Sequence, residues 1–416
     1  MSRSPAAGAS VGHSPGKPLT NAGSRDAMRA QNQRDVFQEV HRRGPISRAD
    51  IANALHLSPA TVTNITADLI ARGLLFEARE AVATGVGRRA ILLEVDYDRA
   101  RVAGVKLSNV GITCAVTNLN AEVQETAAAS LGDTEPESVV AAIAGLLAKL
   151  NHTDIVALGL NLPGIVSADG ITVRHSPLLG WDQVAIGRML QTRLGIPVVV
   201  ENDVNALALA EAWFGYGRGH DSFLAVTLGR GLGLGIILGG EIYRGPRGGA
   251  GEFGHVLIDP YGPETTHARR GTLEAYLSDE ALVRNAHAAG LDLTGAASAD
   301  DLTALALRGD LPARAVFEQA GEVLGRALAI LVNVFAPSLI ILSGEGMRAA
   351  ELLVGPARES MENASFADLG RHVQLIVDTW GDDAWARGAA ALAASRYLIE
   401  SASRTGGEPA TTQPTL

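Results

Sequence analysis

The sequence predicts an α/β protein: an N-terminal winged helix-turn-helix followed by two α/β lobes with a cleft between them. Three observations predict it. Pro45 to Leu75 carries two capped helical segments joined by a tight turn, with a strand-like run after them. From Arg101 the pattern changes to short apolar runs alternating with amphipathic helical stretches. The formal charge of −10 is also unevenly placed. Residues 1–75 hold nine Lys and Arg against five Asp and Glu, whereas the other 341 hold 26 against 40. A modestly basic head on an acidic body suits a DNA-binding module joined to a regulatory body.

In the head, Ser47 is a good N-cap, and Asp50 three residues on can reach back as a capping-box partner. Ile51, Ala52 and Leu55 then line one side of a first helix. Ser58 caps the next helix, and Pro59 takes its first position, where a missing N–H is no loss. Val62, Ile65 and Leu69 recur at helical spacing on the inner side. The outer side offers Ala60, Thr63, Asn64 and Ala67, with Ser58 and Thr61 at its flank. Short side chains of this kind enter a major groove without clashing, and Asn and Thr can bond base edges or phosphates. The plainer alternative is a helical hairpin with a solvated polar face. Leu74–Ala81 and Ala90–Val95 read as the strands of a wing around Gly85-Val86-Gly87-Arg88-Arg89. Arg88 and Arg89 there suit phosphate or minor-groove contact, although Arg89 could equally be an exposed basic turn.

The head is therefore expected over residues 25–97 and the body over 98–400. The Ser/Gly/Pro/Ala-rich stretch 1–24 and the Gly/Pro/Thr-rich tail 401–416 are expected to be disordered. A single cysteine, Cys114, excludes a disulfide framework and a cysteine-based metal site. No run of 18 apolar residues predicts a membrane span, so a cytoplasmic location is expected.

In the body, Val102–Lys106, Gly111–Asn118 and Glu122–Ala128 read as three successive strands, followed by a helix over 135–151 and a strand at Ile155–Asn161. Pro197–Val200 reads as a strand entering a helix at Val204–Phe214. A second strand set, Ser222–Leu228, Gly233–Leu238 and Glu241–Tyr243, is followed by helical stretches at 273–289, 312–335 and 384–399, with late strands at Ser338–Leu342 and Val373–Asp378. A cleft between two such lobes is where small ligands usually bind. Asn202 and Asp203 bring an amide and a carboxylate to a strand-to-helix junction. Glu252 and His255 lie three apart among glycines, and Glu274 opens a helix. Carboxylates and amides in this pattern suit vicinal hydroxyls. Asn202 could instead only cap its helix, and Glu274 could be only a helix-start charge.

Several ordered motifs carry a resemblance. They are Leu162-Pro163-Gly164-Ile165-Val166, the run Pro197 to Ala206 containing Glu201-Asn202-Asp203-Val204-Asn205, Gly248-Gly249-Ala250-Gly251-Glu252-Phe253-Gly254-His255, and Asn333 to Pro337 leading to Gly344. Together they resemble the ROK family, which groups sugar-responsive repressors with sugar kinases. The resemblance covers nearly everything from Arg25 to Tyr397. It implies an actin/hexokinase-like (ribonuclease H-like) fold and a sugar bound by Asn202, Asp203, Glu252, His255 and Glu274. In the family's kinases the position of Asp203 is the general base. The N-terminal winged helix is what the repressor branch carries.

Two departures from the kinase pattern matter. Where the kinases have Asp-x-Gly-Gly-Thr for phosphate and metal, this chain has Lys106-Leu107-Ser108-Asn109-Val110. In the second phosphate turn, Leu228 to Gly233, Arg230 stands where kinases have Thr. The family's zinc motif is also lost, its three cysteine positions falling on Thr265, His267 and Thr272, with only His255 and His267 left as nitrogen donors. The expectation is a sugar-responsive repressor that binds a duplex DNA operator as a homodimer or homotetramer, with no catalysis, cofactor, metal or membrane. Two rivals are a DNA-binding sugar kinase and a partner-controlled regulator with a vestigial cleft.

Overall fold

The structure, a computed structural model, describes residues 21–80, 90–150, 152, 154–264, 269–291, 298–379 and 384–404. The chain begins with α1 (Asn21–Arg43), which buries Val36, Phe37 and Val40. β1 (Ile46–Ser47) leads into α2 (Arg48–Leu55) and α3 (Pro59–Ala71). β2 (Leu75–Glu80) and β3 (Ile91–Val95) close the wing, with β3 between β1 and β2 and antiparallel to both. The helix ends follow their caps. Ser47 accepts from Asp50 N–H at 3.2 Å and Ser58 from Thr61 N–H at 3.1 Å. The capping-box expectation is met differently. The Asp50 carboxylate accepts from the Ser47 hydroxyl at 2.6 Å, and Ser47 itself lies in β1 opposite Leu92. The wing tip with Arg88 and Arg89 lies outside the described residues.

Each lobe is built on a five-stranded sheet. In the first, β4 (Arg101–Leu107), β5 (Gly111–Asn118) and β6 (Val123–Ser130) form an antiparallel meander. α4 (Pro136–Leu147) returns the chain to β7 (Ile155–Leu162), parallel to β4. A small sheet of β8 (Ile165–Val166), β9 (Val173–Ser176) and β10 (Trp181–Val184) follows, then α5 (Ile186–Leu194), β11 (Val198–Asn202) and α6 (Asp203–Phe214). The second lobe repeats the plan with β12 (Phe223–Leu228), β13 (Leu232–Leu238) and β14 (Glu241–Ile242). Next come α7 (Glu274–Leu277), α8 (Asp279–Ala288), α9 (Ala299–Leu307), α10 (Leu311–Phe335), β15 (Leu339–Ser343), α11 (Ala350–Ala364), β16 (Gln374–Val377) and α12 (Ala384–Ser403). The two sheets have orders β6-β5-β4-β7-β11 and β14-β13-β12-β15-β16. Numbered within each lobe, both read 3-2-1-4-5, the duplicated arrangement of the actin/hexokinase-like fold.

α12 ties the molecule together. It lies on β4 and β7, where a Cβ at Gly104 would run into the Ala386 carbonyl and one at Gly159 into that of Ala389. It also packs against β5, β11, α6 and α1. One apolar cluster therefore runs from Phe37, Ile51, Val62 and Leu93 of the head to Leu392, Leu398 and Ala402 of α12. Burial of side chains this large is worth about 1.5–3 kcal/mol each. Two boundaries of the expected disordered ends shift. α1 begins at Asn21, inside the stretch expected to be disordered to residue 24, and α12 continues to Ser403 because Ala402 is still buried. Residues 1–20 and 405–416 lie outside the described residues. Among the described residues no helix is long and apolar enough to cross a membrane.

Candidate functional site

The strand-to-helix junction β11–α6 places Asn202 and Asp203. Asn202 is the N-cap of α6, its amide oxygen accepting from Val204 N–H at 3.0 Å and Asn205 N–H at 3.2 Å. Its amide nitrogen donates to the Gly164 carbonyl at 3.2 Å, which fastens the Pro163-Gly164 turn to the junction. The capping role is thus real, and a ligand hydroxyl at Asn202 must share an amide already engaged. Asp203 opens α6, where the helix dipole favours its charge, and its Oδ2 is ion-paired with Nζ of Lys106 from the end of β4.

The second segment arrives from β14. The loop 244–251 closes on the sheet so tightly that a Cβ at Gly248 would meet the Val166 carbonyl and one at Gly251 that of Leu234. Both glycines also have φ in the left-handed region, +77° and +94°. This loop delivers Glu252 and, after one 3₁₀ turn, His255, whose ring nitrogen lies 3.9 Å from the Glu252 carboxylate. Glu274 opens α7, and its carboxylate packs against Gly231 and Gly254. Burial pushes the Glu252 carboxyl up, and the charges of Asp203 and Glu274 push it further while His255 opposes them. Glu252 thus lies within electrostatic reach of Asp203, His255 and Glu274.

Three groups here were not among the expected site residues. Glu201, buried beside Asn202, is held by Arg244. Trp385 of α12 lies under Lys106, with the ammonium 4.7 Å from its ring centroid, and donates from its indole to Glu345 at 2.9 Å. Glu345 also packs against Gly229, where a Cβ would lie 2.6 Å from its carboxylate. The segments that match the kinases' phosphate turns therefore carry a lysine at the end of β4 and a carboxylate against Gly229. Cys114 is buried in β5, and burial pushes its thiol up to about 12, so it stays protonated and unreactive.

The residues present do not fit a structural zinc. The loop in question is stitched by the chain itself: Ile258 and Asp259 N–H donate to the Gly271 carbonyl at 2.9 and 3.1 Å, and Tyr276 OH donates to Asp259 at 2.9 Å. Thr272 donates its hydroxyl to the Arg269 carbonyl at 2.9 Å. Among the described residues no group of three or more His, Cys, Asp and Glu is placed to hold a metal. Thr265 and His267 lie outside the described residues.

On the head, Ala60, Thr63, Asn64 and Ala67 are exposed along α3 while Val62, Ile65 and Leu69 are buried. Ser58 and Thr61 share a hydroxyl bond of 2.8 Å at the helix start. Thr63 donates to the Pro59 carbonyl at 2.8 Å, which leaves its oxygen free to accept. Asn64 lies mid-face and is exposed.

Residues 102–396, both lobes and most of α12, match the ROK family. The chain belongs to the ROK family. Residues 31–76 of this ROK protein, from the second half of α1 into β2, match the MarR family. The ROK chain is 30% identical over 359 residues to the DNA-binding transcriptional dual regulator NagC of Escherichia coli (strain K12), covering 82% of this chain and 86% of that one. A ROK family transcriptional regulator, a homolog of the E. coli MLC protein, superposes with a TM-score of 0.77 at 28% identity over 90% of this chain and 98% of that chain. A ROK family glucokinase from Streptomyces griseus, in complex with glucose and AMPPNP, gives 0.63 at 32% identity, covering 71% of this chain and 99% of that one. The likeness to the regulators thus extends over more of the chain than the likeness to the kinase.

Proposed function

We propose that this ROK protein is a DNA-binding transcriptional regulator, acting as a repressor of carbohydrate-metabolism genes, and that a sugar in the interlobe cleft controls its operator binding. Asn202, Asp203, Glu252, His255 and Glu274 are the proposed sugar contacts. Ser58, Ala60, Thr61, Thr63 and Asn64 of α3, with Arg88 and Arg89 of the wing, are the proposed DNA contacts. The observation that carries the reading is the Lys106–Asp203 ion pair in a chain that also bears a winged helix. Phosphoryl transfer needs a metal-associated carboxylate and a backbone turn open to the phosphates. Here the strand leading into the first turn supplies an ammonium that pairs with the would-be base, and Glu345 sets a negative charge against Gly229 of the second. The sugar-side carboxylates are kept. The combination suits a site that holds a sugar without phosphorylating it.

α6 gives that site a route to the head. It starts at Asp203 and ends at Trp213 and Phe214, which pack around His41 of α1. A sugar that re-seats the start of α6 would move the head, and paired heads on a homodimer or homotetramer would lose their half-site spacing. The test uses a duplex selected by the purified protein from a random pool, with gel shifts titrated with glucose, N-acetylglucosamine and xylose and an ADP-release assay alongside. One sugar should weaken the DNA complex tenfold or more, with no ADP released. Sugar-dependent ADP release at multiple turnover would reinstate the kinase. Tight DNA binding with no response or heat of binding from any sugar would favour control by a partner protein.

A further inference from the structure

Glu201 is the penultimate residue of β11, one before the cap of α6, and is only 3% exposed. It lies outside the proposed sugar contacts, yet four donors converge on it. Oε2 accepts from Nε of Arg244 at 2.7 Å and from its terminal nitrogen at 2.6 Å. Oε1 accepts from the Asn202 backbone N–H at 2.9 Å and from the Asn205 amide at 3.1 Å. Arg244 begins the loop that delivers Glu252. Its carbonyl accepts from Ala250 N–H at 3.0 Å, and the loop is fastened at its far end by Leu234 N–H to the Gly251 carbonyl at 3.1 Å. One buried carboxylate therefore joins the junction that carries Asp203 to the loop that carries Glu252.

The Glu201 side chain is 5% exposed and that of Arg244 33%. Removing Arg244 would leave a buried carboxylate without its ion-pair partner, unlike the loss of a surface pair. Because the guanidinium meets the carboxylate through two nitrogens, it fixes orientation as well as distance.

We infer that Glu201 and Arg244 are positioning residues of the effector site, an internal clamp that sets the Asp203 and Glu252 carboxylates at the separation a single sugar can span. The inference rests on the proposed sugar-binding role of those two carboxylates. It is tested on the full chain with Glu201→Gln, Arg244→Met and Arg244→Lys, using three readouts: amide hydrogen exchange of residues 245–255 without sugar, calorimetric titration with glucose, N-acetylglucosamine and xylose, and gel shifts on the selected duplex. Glu201→Gln and Arg244→Met should speed exchange in 245–255 and weaken the sugar bound by wild type tenfold or more, with DNA affinity held within twofold. Arg244→Lys, which keeps the charge and loses the fork, should recover part of the sugar affinity.

Unchanged exchange in the sugar-free variants overturns the clamp whichever sugar binds. So does wild-type sugar affinity in Glu201→Gln and Arg244→Met, or a parallel loss of sugar binding, DNA binding and melting temperature. If wild type binds none of the sugars, the sugar-effector reading fails, and the exchange result still decides whether the ion pair holds the loop.

Discussion

Asp203 sits in the first turn of α6 with Lys106 on one oxygen and its own helix N-terminus on the other side, where Val204 N–H reaches Oδ1 at 3.0 Å. Such a carboxylate is well placed to accept from a sugar hydroxyl. Asp203 and Glu252 could be singled out in the sequence because they lie in compact motifs. The pairs around them could not, because these join residues 97, 43 and 40 positions apart: Lys106–Asp203, Glu201–Arg244 and Glu345–Trp385. Nothing local marks which lysine or arginine a fold will bring to a carboxylate. Glu211, two turns further along α6, is a second such case. Burial pushes its carboxyl from 4.5 up to about 8, and the hydrogen bond and charge of Asp378 add to this. Between those values the folded chain holds a proton that the unfolded chain has released, so this group's contribution to stability falls as pH rises. Glu211→Gln should therefore raise the melting temperature at pH 8 clearly more than at pH 5. Melting curves that shift equally at both pH values would show that the Glu211 proton is not retained.

At the scale of elements, α6 joins the cleft to the head. His41, near the end of α1, accepts or donates at 2.7 Å to Tyr97, and its ring centroid lies 4.4 Å from that of Trp213. Burial, reinforced by the charge of Arg218, lowers its pKa to about 3. It is therefore neutral at physiological pH and acts as a packed aromatic ring. Aromatic contacts of this kind are worth about 0.5–1.5 kcal/mol each. Trp213→Ala should leave sugar affinity intact while cutting the sugar-induced loss of DNA affinity from tenfold to below threefold, as read by gel shift. A full response in that variant would remove α6 from the transmission path. The helix-turn-helix and most body strands were legible because caps, turns and apolar spacing agree there. α1 was not, since its buried residues, Val36, Phe37 and Val40, crowd its final turns. The single helix expected over 273–289 is two, because Ser278 caps a new start by accepting from Ala281 N–H at 3.2 Å. The small sheet of β8, β9 and β10 was missed because strands of two to four residues are too short to show alternation.

Across the whole molecule, two lobes of one topology frame the proposed cleft, whose two ends have diverged. The proposed sugar end keeps Asp203, Glu252 and Glu274. At the phosphate end Lys106 lies over Trp385, whose indole reaches Glu345 of the second lobe, and Trp385 opens the helix that packs against the head. A sugar that disturbs Asp203 therefore acts on groups in contact with both lobes and α12. The account requires the sugar to prefer the DNA-free state, and linkage makes that preference reciprocal: tenfold weaker DNA binding corresponds to about 1.4 kcal/mol of coupling, which must reappear in the sugar's own affinity. The most direct measurement is calorimetric titration of the responsive sugar into the free protein and into its complex with the selected duplex. The account predicts weaker sugar binding to the complex, by the same factor as the sugar weakens DNA, with binding abolished in Asp203→Asn. Equal sugar affinity in the free and DNA-bound protein would contradict it.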